Sequence, residues 1–231
     1  MTLTRTQAKD LLRKYDISPR KSLGQNFVVE PNTIRQVIEL SSIKSGDFII
    51  EIGPGIGSLT LSLLEVAAHV TAVEIDSTLV GLLKDLLEPE DKKFRLIHAD
   101  VMDLDLNELL VARNESWTLV ANLPYNISTE ILCKWILNLS DDKIWFSNLV
   151  LMFQKEVADR IISNYNCSNY GRLSILANWK LDIKKITDIN PNCFKPKPKV
   201  DSSLLFFSPK KNFFKFKNPY NLEKITRIFF N

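Results

Sequence analysis

The sequence predicts an α/β fold in which helices cover both faces of an open, mostly parallel sheet. Apolar runs typical of buried strands alternate with helix-length segments from about residue 47 to residue 163. The first run, residues 47–52, contains three isoleucines and leads through a glycine turn, residues 53–57, into a helix-like segment. Ligands of such sheets bind beyond the carboxyl ends of the strands, so a site is expected there.

The individual elements follow from the same patterns. A helix is predicted over residues 3–14, then a glycine-containing loop, then a helix from Pro31 to about Leu40, because proline is favoured in the first helical turn. The alternating region predicts strands at 47–52, 70–75, 94–98, 118–121 and 149–153, and helices at 58–67, 77–87, 104–111, 128–137 and 154–163. A further helix is expected at 173–179, with strands at 181–189 and 203–208, the second pairing antiparallel and closing the sheet edge.

Size and composition restrict the class of protein. The chain has 231 residues, which suits one large domain with at most a small appendage. No apolar run approaches the length of a membrane span, and the charged N-terminus lacks a signal segment, so a cytoplasmic protein without membrane contact is expected. The three cysteines are scattered and have no metal-ligand spacing, so neither a disulfide framework nor a metal site is predicted.

Charge is distributed unevenly along the chain. Residues 1–21 hold six basic against two acidic side chains, and residues 184–217 hold nine lysines against two acids. Residues 22–183 carry a net charge of −9 although the whole chain carries +3. Basic ends around an acidic centre suit a polyanion that is held by the flanks.

The glycine turn is the first candidate ligand site. Gly53, Gly55 and Gly57 occur at every second position, whereas a dinucleotide fingerprint places its third glycine one residue later. This spacing argues against a nicotinamide or flavin dinucleotide and favours an adenosine that carries no pyrophosphate. An ordinary loop between strand and helix is the alternative.

Two acids follow the next two strands. Glu74 ends the second strand, where a carboxylate can accept hydrogen bonds from both hydroxyls of a ribose. Asp100 follows the third strand and could accept from the exocyclic amine of adenine. Glu51, inside the first strand, is unusual because a buried carboxylate needs partners. Together with the turn, Glu74 and Asp100 predict a nucleoside site.

The fourth strand ends in Asn122-Leu123-Pro124-Tyr125. The Asn122 side-chain oxygen and the Leu123 carbonyl can accept the hydrogens of an exocyclic amine, and the Tyr125 ring can stack on a planar base. A turn with a buried tyrosine is the alternative. Neither histidine of the chain, His69 or His98, is placed to act as a general base.

These motifs resemble those of the ribosomal RNA adenine N6,N6-dimethyltransferases. Residues 122–125 match the (N/D/S)-P-P-(Y/F/W) pattern of amino-group methyltransferases, with leucine second. The resemblance includes Gln25-Asn26-Phe27, the run 51–57 and Phe194-x-Pro-x-Pro-Lys-Val-Asp-Ser, and extends from about Lys21 to Ser208. It is closest to the branch that modifies two adjacent adenines near the 3′ end of small-subunit rRNA.

The resemblance implies a Rossmann-like class I methyltransferase with a mostly parallel seven-stranded sheet and S-adenosyl-L-methionine as cofactor. The residues that it assigns to the cofactor are Gln25, Asn26 and Val28 at the methionine end, Gly53 and Gly55 in the turn, Glu74 at the ribose, Asp100 at the adenine, and Asn122. It also places Asn122 and Leu123 at the target amine, with Tyr125 and Phe194 on either side of a flipped base. The implied partner is small-subunit rRNA or an immature small subunit, bound by a monomer.

Three segments are expected in the chain. They are an N-terminal helix with a contacting loop (1–30), the methyltransferase domain (31–210), and a basic linker leading into a helical domain (211–231). The family usually carries that helical C-terminal domain; here it would begin near Leu222, and we expect it to be largely absent.

Other functions remain open at this point. They are a large-subunit rRNA methyltransferase of the antibiotic-resistance type, an rRNA-binding assembly factor whose methylation is incidental, a DNA adenine methyltransferase, and a dinucleotide oxidoreductase.

Overall fold

The computed structural model describes residues 2–87, 92–106, 117–139 and 146–230. Its strands are β1 (Phe27–Val28), β2 (Phe48–Ile52), β3 (His69–Glu74), β4 (Phe94–His98), β5 (Trp117–Asn122), β6 (Asn148–Gln154), β7 (Leu181–Ile189), β8 (Phe194–Lys195) and β9 (Ser202–Pro209). Its α-helices are α1 (Arg5–Lys14), α2 (Pro31–Leu40), α3 (Ser58–Val66), α4 (Ser77–Leu87), α5 (Ser128–Asn138), α6 (Lys155–Ile161), α7 (Arg172–Lys180) and α8 (Pro219–Phe229). The helix predicted at 104–111 falls mostly outside the described residues.

Seven strands form one sheet in the order β4-β3-β2-β5-β6-β9-β7. The first five are parallel to their neighbours, and β9 is antiparallel to both β6 and β7. This confirms the predicted doubly covered, mostly parallel sheet. The chain reverses its strand order between β2 and β5, and crevices at such reversals are where ligands bind.

The core lies in two layers, one on each face of the sheet. In β2, Ile49 belongs to one buried cluster, and Ile50 and Ile52 belong to the other. Helices α1 to α4 contribute to the first cluster, and α5 to α7 to the second. Strand β2 therefore buries both of its faces, which is why its sequence shows no alternation of apolar and polar residues; Glu51 is its one charged residue and is buried as well.

The prediction that residues 203–208 close the sheet edge is wrong. Strand β9 lies inside the sheet between β6 and β7, and β7 is the edge strand. Leu204 and Leu205 of β9 are fully buried on opposite faces, whereas β7 is buried only at its two end residues, Leu181 and Ile189. The apolar residues of β9 need cover on both sides, and an inner position provides it.

Helix α8 packs on α7 beyond the sheet. Arg172 forms an ion pair with Glu223 at 2.7 Å, and Tyr220 donates to the side chain of Asn138 at 3.3 Å. Much of the outer face of α8 is apolar and exposed, including Ile225 and Ile228. The domain boundaries given above stay predictions.

Two simpler features follow from composition. All three cysteines are free, as predicted. Within the described ranges, no helix has both the length and the apolar character needed to cross a membrane.

Candidate functional site

A cavity of about 220 Å³ opens at the carboxyl ends of β4, β3, β2 and β5. Each of these four strands supplies lining residues from its end or from the loop that follows, and the segment 22–28 covers the cavity from another side. Predicted site residues that line it are Gln25, Asn26, Val28, Gly53, Gly55, Glu74, Asp100 and Asn122. The structure thus brings together every residue assigned to the cofactor, although the contacts each makes with a ligand stay a prediction.

The backbone of the glycine turn has a conformation that residues with a side chain rarely adopt. Gly53, Gly55 and Gly57 have φ angles of +69°, +60° and +80°. A Cβ on Gly55 would lie 2.7 Å from the Phe27 ring, so the residue must lack a side chain. A Cβ on Gly53 would meet no atom within 4 Å, so the cavity wall is open there. A ligand can therefore approach the backbone at Gly53.

Glu74 is held by the turn that it faces. Its carboxylate accepts from the backbone amide of Gly55 at 3.2 Å and from the amides of Ile75 and Asp76 at 3.0 and 2.9 Å. The side chain is buried, and burial raises its pKa while these three amides lower it. The acid is therefore fixed in position before any ligand binds, which suits a rigid acceptor for ribose hydroxyls.

Asp100 lies directly beyond β4 and lines the cavity. Its Oδ1 accepts from the backbone amide of Met102 at 2.8 Å. That bond fixes the side chain in the loop, next to the cavity wall formed by Ala99 and Val101. A carboxylate has more than one acceptor site, so a further donor can bind the same side chain.

The loop before β1 is held in place by polar contacts with Asp76. Gln25 donates to Asp76 at 3.0 Å and accepts from the backbone amide of Arg20 at 2.8 Å, and Arg20 reaches Asp76 at 3.4 Å. These contacts hold Gln25 at the cavity wall, and its contact with a ligand stays a prediction. Asp76 also caps α4, because its Oδ1 accepts from the Thr78 amide at 3.0 Å.

Asn122 ends β5 at the centre of the site. Its Nδ2 donates to the backbone carbonyl of Asn26 at 2.6 Å. Its Oδ1 is buried and has no hydrogen-bond partner in the protein. Buried acceptors are nearly always satisfied, so this oxygen is available to accept a hydrogen bond from a ligand.

The other three residues predicted for the target base do not line the cavity. Leu123 is buried, and the Tyr125 hydroxyl lies 2.6 Å from Ser202 Oγ. Burial raises the pKa of Tyr125, and the Ser202 contact lowers it. Ser202 belongs to the Phe194–Ser202 motif but received no role from the sequence; its contact with Tyr125 spans 77 residues, so no local pattern predicts it.

Phe194, which is predicted to flank a flipped base, has a buried side chain. The side chain is 3% exposed and packs in the same core cluster as Phe27 and Val28. The reason is the short antiparallel pairing of β1 with β8, in which Val28 is opposite Phe194. The neighbouring lysines, Lys195, Lys197 and Lys199, are exposed.

Glu51 is a site residue to which the sequence gave no role. It lines the cavity, is 2% exposed, and its Oε2 has no hydrogen-bond partner. Burial raises the pKa of Glu51 to about 8; Thr60 lowers it and the Glu74 charge raises it. Glu51 and Thr60 do not meet the geometry of a hydrogen bond, since Thr60 Oγ1 is also unpaired. The carboxyl is therefore mostly protonated at neutral pH.

Across the ranges that the structure describes, no three His, Cys, Asp or Glu side chains are grouped so that they could hold a metal ion.

Comparison with known proteins places this geometry in context. A family model described as ribosomal RNA adenine dimethylase matches residues 17–231. A ribosomal RNA small subunit methyltransferase A from Pelagibacter ubique is 51% identical over 216 residues, which are 93% of this chain and 79% of that protein. The protein of the same name from Clostridium botulinum is 42% identical over 197 residues, covering 85% of this chain and 70% of the relative.

Two solved structures have a fold similar to that of this chain. A dimethyladenosine transferase from Plasmodium falciparum superposes with a TM-score of 0.67 at 32% identity, over 79% of this chain and 62% of that chain. The 23S rRNA methyltransferase ErmE superposes with a TM-score of 0.68 at 23% identity, over 87% of this chain and 76% of that chain. The second likeness is one of fold alone.

Proposed function

Because this chain belongs to the ribosomal RNA adenine dimethylase family, we propose that it dimethylates the N6 amines of two adjacent adenines in a hairpin near the 3′ end of small-subunit rRNA. The small-subunit assignment is supported by relatives that are 51% and 42% identical and bear small-subunit names. The large-subunit alternative has weaker support, since ErmE is 23% identical.

The observation that carries the proposal is the unpaired Oδ1 of Asn122. An adenine amine is a poor nucleophile because its lone pair is delocalised into the ring. An acceptor fixed beside the amine would draw one hydrogen out of the ring plane and localise that lone pair. The bond from Asn122 Nδ2 to the Asn26 carbonyl keeps Oδ1, rather than the NH₂ group, available for this task.

The cavity fits S-adenosyl-L-methionine, which is the cofactor. Gly53 leaves space at the backbone, and the anchored Glu74 carboxylate and Asp100 offer acceptors for a ribose and an adenine amine. Asn26 and Val28 would contact the methionine end, with Gln25 in the loop beside it. When bound, the cofactor supplies an electrophilic methyl group on its sulfonium sulfur.

The target base would enter beside Asn122 after leaving its stack. Tyr125 follows Asn122 by three residues, and its ring would stack on the base with the hydroxyl anchored at Ser202. Phe194 would contribute from beneath β1 only after a local rearrangement, because its side chain is buried. Lys195, Lys197 and Lys199 would hold phosphates of the RNA near the site. Action as a monomer, in the cytoplasm and on immature subunits remains a prediction.

The proposal is tested by labelled methyl transfer to immature small subunits from a strain that lacks this modification, followed by mapping of the modified nucleotides. Two adjacent N6,N6-dimethyladenines near the 3′ end of the small-subunit rRNA are expected. Mature, already modified subunits are the matched control and should accept no label. Label in large-subunit rRNA or in duplex DNA instead would contradict the proposal.

A further inference from the structure

An aromatic and basic surface lies far from the cavity, at the opposite end of the sheet. It consists of residues 210–217, which follow β9, and of Trp179 at the end of α7. Pro209 pairs with Leu181 at this end, whereas Ser202, at the start of β9, pairs with Gln154 at the cavity end. Eight residues of β9 separate the two ends, roughly 25 Å at the usual rise per residue.

The rings of this surface are held in a fixed arrangement. Trp179 Nε1 donates to the carbonyl of Phe214 at 2.7 Å. The Trp179 ring meets Phe213 and Phe216 edge-on, with centroids 6.2 and 5.1 Å apart. Lys180 Nζ lies 4.0 Å from the centroid of the Trp179 ring. The segment is therefore anchored to α7 and is more than a loose connection.

The outer rings of the surface face solvent. Phe214 is 69% exposed and Phe216 38% exposed, and their centroids are 4.8 Å apart. The backbone of Phe214 is fixed by Trp179 while its side chain stays outside the core. Exposed rings of this size, grouped rather than scattered, mark an interaction site.

The charged side chains within the segment 210–217 all have one sign. Lys210, Lys211, Lys215 and Lys217 lie in the segment, and the sequence has no acid between Asp201 and Glu223. Lys211 and Lys217 are exposed on either side of Phe214. Aromatic rings interleaved with lysines complement a single-stranded nucleic acid, whose bases stack on rings while its phosphates meet the cations.

We propose that Trp179 and residues 210–217 form a second RNA-binding surface, which stacks unpaired bases on Phe214 and Phe216 and pairs backbone phosphates with Lys211 and Lys217. This proposal depends on the proposed function in one respect only, which is that the bound polyanion is RNA. Because this surface and the cavity lie at opposite ends of the sheet, a large RNA can occupy both at once, whereas a hairpin too short to span the sheet can bind only one of them.

The test measures binding of a labelled single-stranded RNA of roughly 12 nucleotides by fluorescence anisotropy over a range of salt concentrations. Phe214→Ala should raise Kd about fivefold or more, because one stacking position is lost. Lys211→Ala and Lys217→Ala should each lower the slope of log K against log salt by about 0.7. Trp179 emission should be quenched by RNA in the wild type and less so in Phe214→Ala.

Matched controls carry the same changes elsewhere on the surface. Tyr165→Ala removes an aromatic ring that is 78% exposed, and Lys44→Ala removes an exposed lysine. Both should bind the RNA as the wild type does. Unchanged Kd and salt slope in the Phe214 and lysine variants would overturn the proposal, as would a change in sedimentation showing that Phe214 contacts a second copy of the chain.

Methyl transfer to a short target hairpin separates this proposal from the proposed function. Phe214→Ala should keep wild-type turnover on that hairpin, because the surface is out of its reach. If the wild-type protein methylates no rRNA, the proposed function is wrong. The proposal that the surface around Phe214 binds RNA would still be decided by the binding measurements.

Discussion

The side chain of Asn122 donates to the backbone carbonyl of Asn26 at 2.6 Å across 96 residues of sequence, and its own oxygen is left without a partner. This bond fixes the orientation of the amide, because a carbonyl can be paired only with the NH₂ end. Asn26 belongs to the segment 22–28, which covers the cavity. The carbonyl that orients the Asn122 amide therefore comes from the loop that lines the cavity. The same loop thereby also orients the oxygen that we propose as the acceptor of the adenine amine.

The glycine turn should tolerate no side chain at Gly55. Gly55→Ala forces a left-handed residue to carry a Cβ, at about 1–2 kcal/mol, and pushes that Cβ against the Phe27 ring. We expect a lower Tm and weaker S-adenosylmethionine binding in calorimetry. Gly46→Ala is the matched control, since no atom lies within 4 Å of its Cβ position; equal behaviour of the two variants would contradict this account of the turn.

Glu51 should make stability depend on pH. Its pKa is raised from 4.5 to about 8 in the folded protein, so the folded state binds the proton more tightly than the unfolded chain. This contribution to the free energy of unfolding is fully present below pH 4.5 and is lost as the pH rises through about 8. Urea unfolding at several pH values should show the decline.

The control for that prediction is Glu51→Gln, which mimics the neutral carboxyl. It should reduce the total decline in the free energy of unfolding by a few kcal/mol, at about 1.4 kcal/mol per unit of pKa shift. A slope due to Glu74, whose pKa is also raised, should remain. Identical pH profiles for the variant and the wild type would show that Glu51 is ionised when folded.

Tyr125 should act through its ring rather than its hydroxyl. Tyr125→Phe and Ser202→Ala each break the 2.6 Å hydroxyl contact and keep the ring, so both should retain most methyl transfer. Tyr125→Ala removes the stacking surface and should raise KM for RNA by the equivalent of about 1–3 kcal/mol. Steady-state kinetics with an rRNA fragment compare the three. A Tyr125→Phe variant as impaired as Tyr125→Ala would assign the role to the hydroxyl.

The alternation of strands and helices was predictable because β2, β3 and β5 are apolar on both faces and are punctuated by turns. This alternation also predicted that Glu74, Asp100 and Asn122 lie close together, because the carboxyl ends of parallel strands meet at the same edge of the sheet. The cavity lining could be anticipated for the same reason.

What the sequence did not reveal depends on pairing between distant segments. The inner position of β9, the burial of Phe194 under β1 and the tie between Gln25 and Asp76 all join parts of the chain that lie far apart in sequence. Periodicity reports which faces of an element are buried but not which element covers them. The neutral state of Glu51 likewise needs its surroundings, since desolvation cannot be read from a single residue.

The most direct test of the account is the effect of Asn122→Ala on single-turnover methyl transfer to small-subunit rRNA, with cofactor binding measured in parallel. Asn164→Ala, which removes an amide from an exposed loop, is the control and should behave as the wild type. Asn122→Ala should slow methyl transfer by about 100-fold or more, as loss of one preorganised polar group does, while cofactor affinity falls much less. Turnover near that of the wild type would contradict the role of Asn122 Oδ1 as the acceptor of the adenine amine.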